Sequence, residues 1–268
     1  MKTRKEKREV PKGLQFDTLL KEAVNKPGTI SAAYRAIHGF SIGNQVAAMW
    51  QCSANDIDLG PICTFKGWKD KGRKVNKGEK ALFLCMPVTC KTTRTNKDTG
   101  EDEDAAFTRF IWRPRWFVLS QTSGEDVPAI AIPEWDQDKA LKALEIALLP
   151  FEGLNGNCQG YASAEGIALN PMNPNKHKTL FHELAHVMLG HTKEGTLHDS
   201  SSTPKELKEA EAEAVAMVLC ETLDLPGTES SRAYIQGWYG VGHEIPEKSA
   251  RKIFAAANKI LKAGQLDA

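Results

Sequence analysis

The segment LFHELAHVMLGH, residues 180–191, constrains the fold more than any other part of this 268-residue chain. Residues four apart in an α-helix share one face, so His182 and His186 can direct their imidazoles at one metal ion. Glu183 projects beside that face, and the flanking residues are apolar and helix-forming. The segment predicts a buried helix that carries a metal site. The alternative is a core helix with two hydrogen-bonded histidines.

The ligand types in this segment indicate zinc chemistry. Zinc lowers the pKa of a bound water to about 7, and a carboxylate placed like Glu183 can accept the released proton. The pattern therefore predicts Zn²⁺ as cofactor and Glu183 as the catalytic group of a metallopeptidase-type site. Mn²⁺ and Co²⁺ are alternatives, because the same ligands accept them.

A catalytic zinc site needs a third protein ligand. His191 falls one residue short of the spacing used by metzincins, so we favour an acid on the following predicted helix. Glu209 is the expected ligand, and Glu213, one turn later, is either the alternative ligand or the partner of a ligand histidine's second ring nitrogen. Glu211 points away from this pair and is expected to be solvated. Four groups remain open as oxyanion stabilisers: Tyr161, Tyr234, Tyr239 and His243.

The first third of the chain has a different character. Residues 1–80 contain 16 Lys and Arg against 8 Asp and Glu, whereas the remainder contains 19 against 26. Cations interleaved with aromatic residues are typical of single-stranded nucleic-acid binding, although a solvated basic surface with its tryptophans in the core would look the same. The candidate DNA-binding residues are Lys66, Trp68, Lys69, Lys71, Arg73, Lys74, Lys77, Lys80, Trp112, Arg113 and Arg115.

Cysteine spacing and hydropathy bear on the compartment. The six cysteines form no CxxC pair or zinc-ribbon spacing, which favours reduced thiols. No apolar run has the length of a signal peptide or a membrane span. We expect a cytoplasmic protein without a membrane partner.

The pattern along the chain predicts an α+β protein of two domains. A disordered basic lead covers 1–12, a small α+β DNA-binding domain covers 13–125, and a mostly helical, gluzincin-like metallopeptidase domain covers 126–268. Helices are expected between Phe16 and about Trp50, over 138–149, around the histidines and through most of the rest. The run 63–88 is expected to contain a short extended piece, a basic glycine-rich turn region and a strand that ends near Val88. The stretch 92–104 is expected to be a hairpin tip or loop, and GYASAEGIALNP a short hairpin.

Two stretches together resemble a known family. The run TFKGWKDKGRKVNKGEKALFLCMPV, with Asn44-Gln45 before it and VLSQT after it, resembles the N-terminal domain of ArdC-like antirestriction proteins, which TraC-type primases share. FHELAHVMLGH, the acidic helix ending in VLC, AYIQGW and KSARKIFAAANKIL resemble the family's zincin-type domain. The resemblance covers about residues 14–264.

The resemblance implies a function for each domain. The first would bind single-stranded DNA with little sequence preference, and the second would hold a metal on His182, His186 and Glu209 with Glu183 as base. Together they would protect incoming plasmid or phage DNA from restriction. Two alternatives stay open: an intracellular metallopeptidase that cleaves a regulatory protein and whose basic module binds a protein partner, and a DNA-binding protein with a purely structural zinc.

Overall fold

The computed structural model describes residues 8–95, 102–128, 131–152, 158–192 and 203–266 of an α+β protein. The chain divides into two compact units. Unit 1 comprises 1–12 and 47–127, and unit 2 comprises 13–46 and 128–268. Most of the predicted disordered lead, residues 1–7, lies outside the described residues.

Unit 1 is built on an antiparallel sheet with strand order β1-β4-β3. The strands are β1 (Ile62–Thr64), β3 (Leu82–Thr95) and β4 (Asp102–Val118). A second pair joins β2 (Arg73–Val75) to β5 (Thr122–Gly124). The buried Gln51, on helix α3 (Ile42–Ala54), anchors β3 by accepting a hydrogen bond from Phe83 N and donating one to Phe83 O, both at 2.8 Å. These two hydrogen bonds satisfy the polar atoms of a side chain that is buried away from water.

The expected short extended piece is β1, but a helix follows it where the sequence predicted a turn region. Helix α4 spans Phe65–Asp70 and begins where the Thr64 side chain accepts a hydrogen bond from Gly67 N. Trp68 is 1% exposed and donates from Nε1 to Phe117 O at 2.8 Å. The sequence did not predict this helix, because an N-cap and one buried tryptophan outweigh the low helix propensity of a glycine-rich stretch.

Unit 2 takes in the first two helices, α1 (Phe16–Asn25) and α2 (Thr29–Ile37), which the sequence had assigned to the DNA-binding domain. Buried polar groups fix them there. Glu221 accepts a hydrogen bond from Ile30 N at 2.9 Å at the start of α2. Arg232 pairs with Glu221 and donates to Ala23 O in α1. The division between units falls within α3.

The remaining elements of unit 2 form a small sheet and five helices within the described ranges. The sheet has the order β6-β8-β7, from Ala147–Leu149, Gly166–Leu169 and Gly160–Ala162. The helices are α5 (Gln137–Leu144), α6 (Lys176–Met188), α7 (Lys205–Thr222), α8 (Thr228–Gly240) and α9 (Glu247–Gly264). The hairpin of β7 and β8 confirms the sequence prediction.

One other expectation needs correction. The predicted helix over 138–149 stops at Leu144, because Glu145 adopts a left-handed conformation (φ 57°) and the chain continues as β6. The stretch 92–104, expected to be a hairpin tip or loop, joins two antiparallel strands, β3 and β4, whose pairing extends into it as far as Thr95 and Asp102; residues 96–101 lie outside the described part. None of the helices in the described ranges has the length and apolarity that crossing a bilayer requires.

Candidate metal centre and nucleic-acid interface

The metal centre lies where α6 packs against α7. His182 and His186 share one face of α6, one helical turn apart, as predicted. On the α7 side, Ala210 and Ala214 are fully buried and add little bulk between the helices. This close packing brings the Glu209 carboxylate to the two imidazoles.

Three donor atoms converge at this point. The Nε2 atoms of His182 and His186 are 3.1 Å apart, and Glu209 Oε2 lies 3.4 Å and 3.7 Å from them. Tetrahedral zinc with ligands at about 2.0–2.1 Å has ligand–ligand separations of about 3.3 Å. The donor set thus fits a metal ion of that size and leaves room for a fourth ligand.

Glu183 lies beside the donor atoms and is 7% exposed. Burial raises the pKa of its carboxyl, and the nearby His182 and His186 offset only part of that rise. It lines a cavity of about 930 Å³ together with the three donors and the chain from Gly160 to Ala164. A Cβ at position 160 would lie 2.7 Å from Thr179 Cγ2, so a glycine is needed where β7 crosses α6.

β7 offers this cavity a free strand edge. It pairs with β8 on one side, and no strand in the described residues pairs with its other side. An extended peptide can add to such an edge through main-chain hydrogen bonds.

Glu213 lies on the side of His182 away from the donor cluster. Its Oε1 lies 3.5 Å from His182 Nδ1 and 2.9 Å from Lys178 Nζ. No hydrogen bond joins Glu213 to His182 Nδ1, so its role as partner of that nitrogen stays a prediction. Glu209, which faces both Nε2 atoms, is the acid placed to act as ligand.

His191 occupies a place that the sequence did not predict. Its Nδ1 lies 3.0 Å from His186 Nδ1, and its Nε2 lies 2.9 Å from Glu211 Oε2. Glu211 is 4% exposed, so the expectation that it is solvated was wrong. Burial would raise the pKa of Glu211, but hydrogen bonds from His191 and Ser249 outweigh it and lower that pKa.

The four candidate oxyanion stabilisers lie at different distances from the metal centre. Tyr161 lines the cavity. Burial raises the pKa of Tyr234, and the charge of Glu209 raises it further. Tyr239 lies against Lys21 instead, and His243 stacks on Trp238. Tyr161 and Tyr234 are therefore the two that remain near the metal centre.

The predicted DNA-binding residues of unit 1 fall into two groups. The exposed ones are Lys66, Lys69, Lys71, Lys74, Lys77, Lys80 and Arg115, while Trp112 and Arg113 are half-buried. One prediction was wrong, because Trp68 is buried and cannot stack on a base. The Arg73 guanidinium donates hydrogen bonds to Thr122, Gly124 and Glu125 and thereby ties β2 to β5, and its role in DNA binding stays a prediction.

Sequence reasoning overlooked the exposed phenylalanines of β4. Phe107 and Phe110 are 51% and 59% exposed. Strand residues alternate between faces, so Phe107 shares a face with Arg109 and Arg113. The stretch FTRFIWR contained a signal for exposed phenylalanines. Its aromatic residues alternate with arginines along a predicted strand, and in such a strand an apolar side chain can lie at the surface.

Comparisons with known proteins agree with this architecture. Residues 21–112 match the family model for the N-terminal domain of the anti-restriction factor ArdC. The metal-free crystal structure of the antirestriction protein ArdC from plasmid R388 matches with a TM-score of 0.51 and 19% identity, covering 92% of this chain and 94% of that one. Residues 21–112 are therefore similar to the N-terminal domain of ArdC, and the chain shares the fold of the R388 protein.

Two further matches complete the comparison. The Mn(II)-bound structure of the R388 ArdC has a TM-score of 0.45 and 19% identity, with the same coverage. An uncharacterized protein of Bacillus anthracis, pXO2-81, is 28% identical over 233 residues, covering 69% of this chain. The chain spans 39% of the length of that relative.

Proposed function

We propose that this protein is an ArdC-like antirestriction factor with a divalent-metal peptidase centre and a surface for single-stranded DNA. The observation that carries the first part is the convergence of His182, His186 and Glu209 next to Glu183 in an open cavity. Zn²⁺ is the metal that these two imidazoles and one carboxylate favour.

The bound metal would polarise a peptide carbonyl and acidify a water. The chain's own residues do the rest. The free edge of β7 binds the peptide in an extended form, beside the donor cluster. Glu183 accepts a proton as general base and delivers it to the leaving amine, and its raised pKa brings it closer to the pH at which it works.

The test of the peptidase is cleavage of a random peptide library. The chain is stripped with a chelator and then given one equivalent of zinc. The wild type should cleave, and Glu183→Gln should keep its zinc while cleavage falls about 10²–10⁴-fold. Glu206→Gln, an exposed acid on α7, is the matched control and should cleave normally. Full cleavage by Glu183→Gln, or none by the reconstituted wild type, contradicts the peptidase.

A separate observation favours DNA as the partner of unit 1. One face of β4 carries the exposed ring of Phe107 together with the cationic Arg109 and Arg113. The same unit has exposed lysines on α4 and around β2. Bases stack on such rings while cations follow the phosphates. Single-stranded DNA fits this face because its bases are accessible.

Fluorescence anisotropy tests this partner. Labelled single- and double-stranded oligonucleotides are titrated with the full chain at two salt concentrations. We expect tighter binding of the single strand and affinity that falls steeply with salt, since each neutralised phosphate contributes about −0.7 to the log–log slope. Equal binding of both forms, or no binding at low salt, would remove single-stranded DNA as the partner and favour a protein ligand for the basic surface.

A further inference from the structure

The turn that ends α6 brings the following residues back against this helix, which carries His182 and His186. Gly190 adopts φ 76°, a left-handed conformation that suits glycine. Its N–H donates to Val187 O at 3.1 Å, and the N–H of His191 donates to His186 O at 2.8 Å. These two bonds define a Schellman motif. The motif sets the His191 ring beside the His186 ring, with centroids 5.1 Å apart.

The hydrogen bonds that follow form a continuous chain from α7 to the donor cluster. The Glu211 carboxylate lies 2.9 Å from His191 Nε2, and His191 Nδ1 lies 3.0 Å from His186 Nδ1. The side chains of His191 and Glu211 are 4% and 5% exposed, so water does not compete for these bonds. Ser249, on α9, also hydrogen-bonds to Glu211 and holds its other side.

If Glu211 is ionised and His191 is neutral, the order of donors along these hydrogen bonds determines which ring nitrogen of His186 carries its proton. An ionised Glu211 only accepts, so His191 must donate from Nε2. A neutral His191 then has a lone pair on Nδ1, and His186 must donate its Nδ1 proton to it. The Nε2 atom of His186 is left with a lone pair aimed at Glu209 and His182. A cationic His191 would do the reverse, because it would leave the proton of His186 on Nε2.

We infer that His191 and Glu211 are positioning residues that lock His186 in its metal-binding tautomer. The inference rests on the proposed metal centre. His182 has no equivalent bond, since its Nδ1 makes no hydrogen bond among the described residues and Glu213 stands 3.5 Å away. The two ligand histidines are thus held differently, and His186 is the more firmly fixed.

The first test measures the tautomer in the metal-free wild-type protein by ¹⁵N NMR of the histidine side chains. We expect His186 to carry its proton on Nδ1 and His191 on Nε2. Neutral histidine in water prefers the proton on Nε2, so the expected state of His186 differs from the default. A proton on Nε2 of His186 overturns the inference. This measurement uses the unaltered chain and does not depend on the folding of any variant.

The second test measures zinc affinity by competition with a chromophoric chelator. His191→Phe keeps a ring but removes both nitrogens, and zinc should bind about 10–100-fold more weakly. His177→Phe, at an exposed position on the same helix, is the control and should change the affinity less than about twofold. Equal affinity of wild type and His191→Phe overturns the inference. Failure of the wild type itself to bind zinc would refute the proposed metal centre, and the tautomer measurement would still decide the role of His191.

Discussion

The metal centre and the β4 surface differ in how their side chains are held, and this difference decides what each can do. At the metal centre, His186, His191 and Glu211 are bonded to one another and nearly closed to water. On β4, Phe107 and Phe110 stand largely in solvent. Fixed donors suit a metal ion of one size. Exposed rings among cations suit a flexible polymer of any sequence.

The largest expected effect tests whether buried and exposed aromatic residues of unit 1 have separate roles. Trp68→Ala removes a ring that is 1% exposed and should lower the free energy of unfolding by about 3–5 kcal/mol. Phe110→Ala removes a ring that is 59% exposed and should change it by less than about 0.5 kcal/mol. Urea denaturation of the two variants measures this. Similar losses of unfolding free energy in the two variants would contradict the assignment of Trp68 to the core and Phe110 to the surface of this unit.

The next effect tests which face of β4 carries the proposed DNA surface. Phe107→Ala should weaken single-strand binding by about 1–3 kcal/mol, because one stacked base is lost. Phe110→Ala, on the opposite face, is the matched control and should leave affinity within about twofold. Anisotropy titrations of both variants give the comparison. A larger loss of affinity from Phe110→Ala than from Phe107→Ala would mean that the single-stranded DNA binds the opposite face of β4.

The smallest effect concerns protonation at the metal centre. Burial lowers the pKa of His182, but its hydrogen bond with Glu209 and the charges of Glu213 and Glu183 outweigh burial and raise the pKa overall. A raised pKa means that protonated His182 stabilises the metal-free fold. That stabilisation is complete below about pH 6.5 and is lost as the pH rises through the raised pKa.

Differential scanning fluorimetry of chelator-treated protein measures this effect. The wild type should lose thermal stability as the pH rises above about 6.5, relative to His182→Gln, which has no proton to lose there. Parallel pH profiles of the two proteins would show that His182 is not stabilising when protonated.

The sequence predicted the metal centre better than the DNA surface, for a physical reason. Helical spacing alone places His182 beside His186, and one acid on the next helix suffices to complete the group. Whether an aromatic side chain on a short helix or a strand is exposed depends on what covers it, and one sequence does not contain that information. Trp68 and Phe107 illustrate this, because both stand next to cations and only one is buried.

One contact was missed and one expectation was wrong. The count of residues after His186 led us to favour Glu209 over His191 as the third ligand, but it did not reveal the contact of His191 with His186, which depends on the Schellman turn at Gly190. Glu211 was expected in solvent from its angle on α7. It is buried because His191 and Ser249, distant in sequence, satisfy its carboxylate.

The zinc stoichiometry of three proteins tests the central claim most directly. Metal-stripped wild type, Glu209→Gln and Glu213→Gln are titrated with zinc and assayed by mass spectrometry under native conditions. A centre on His182, His186 and Glu209 predicts one zinc per wild-type chain, its loss in Glu209→Gln, and its retention with reduced affinity in Glu213→Gln. One zinc retained by Glu209→Gln and lost by Glu213→Gln would contradict the ligand set, and no zinc in the wild type would contradict the metal centre itself.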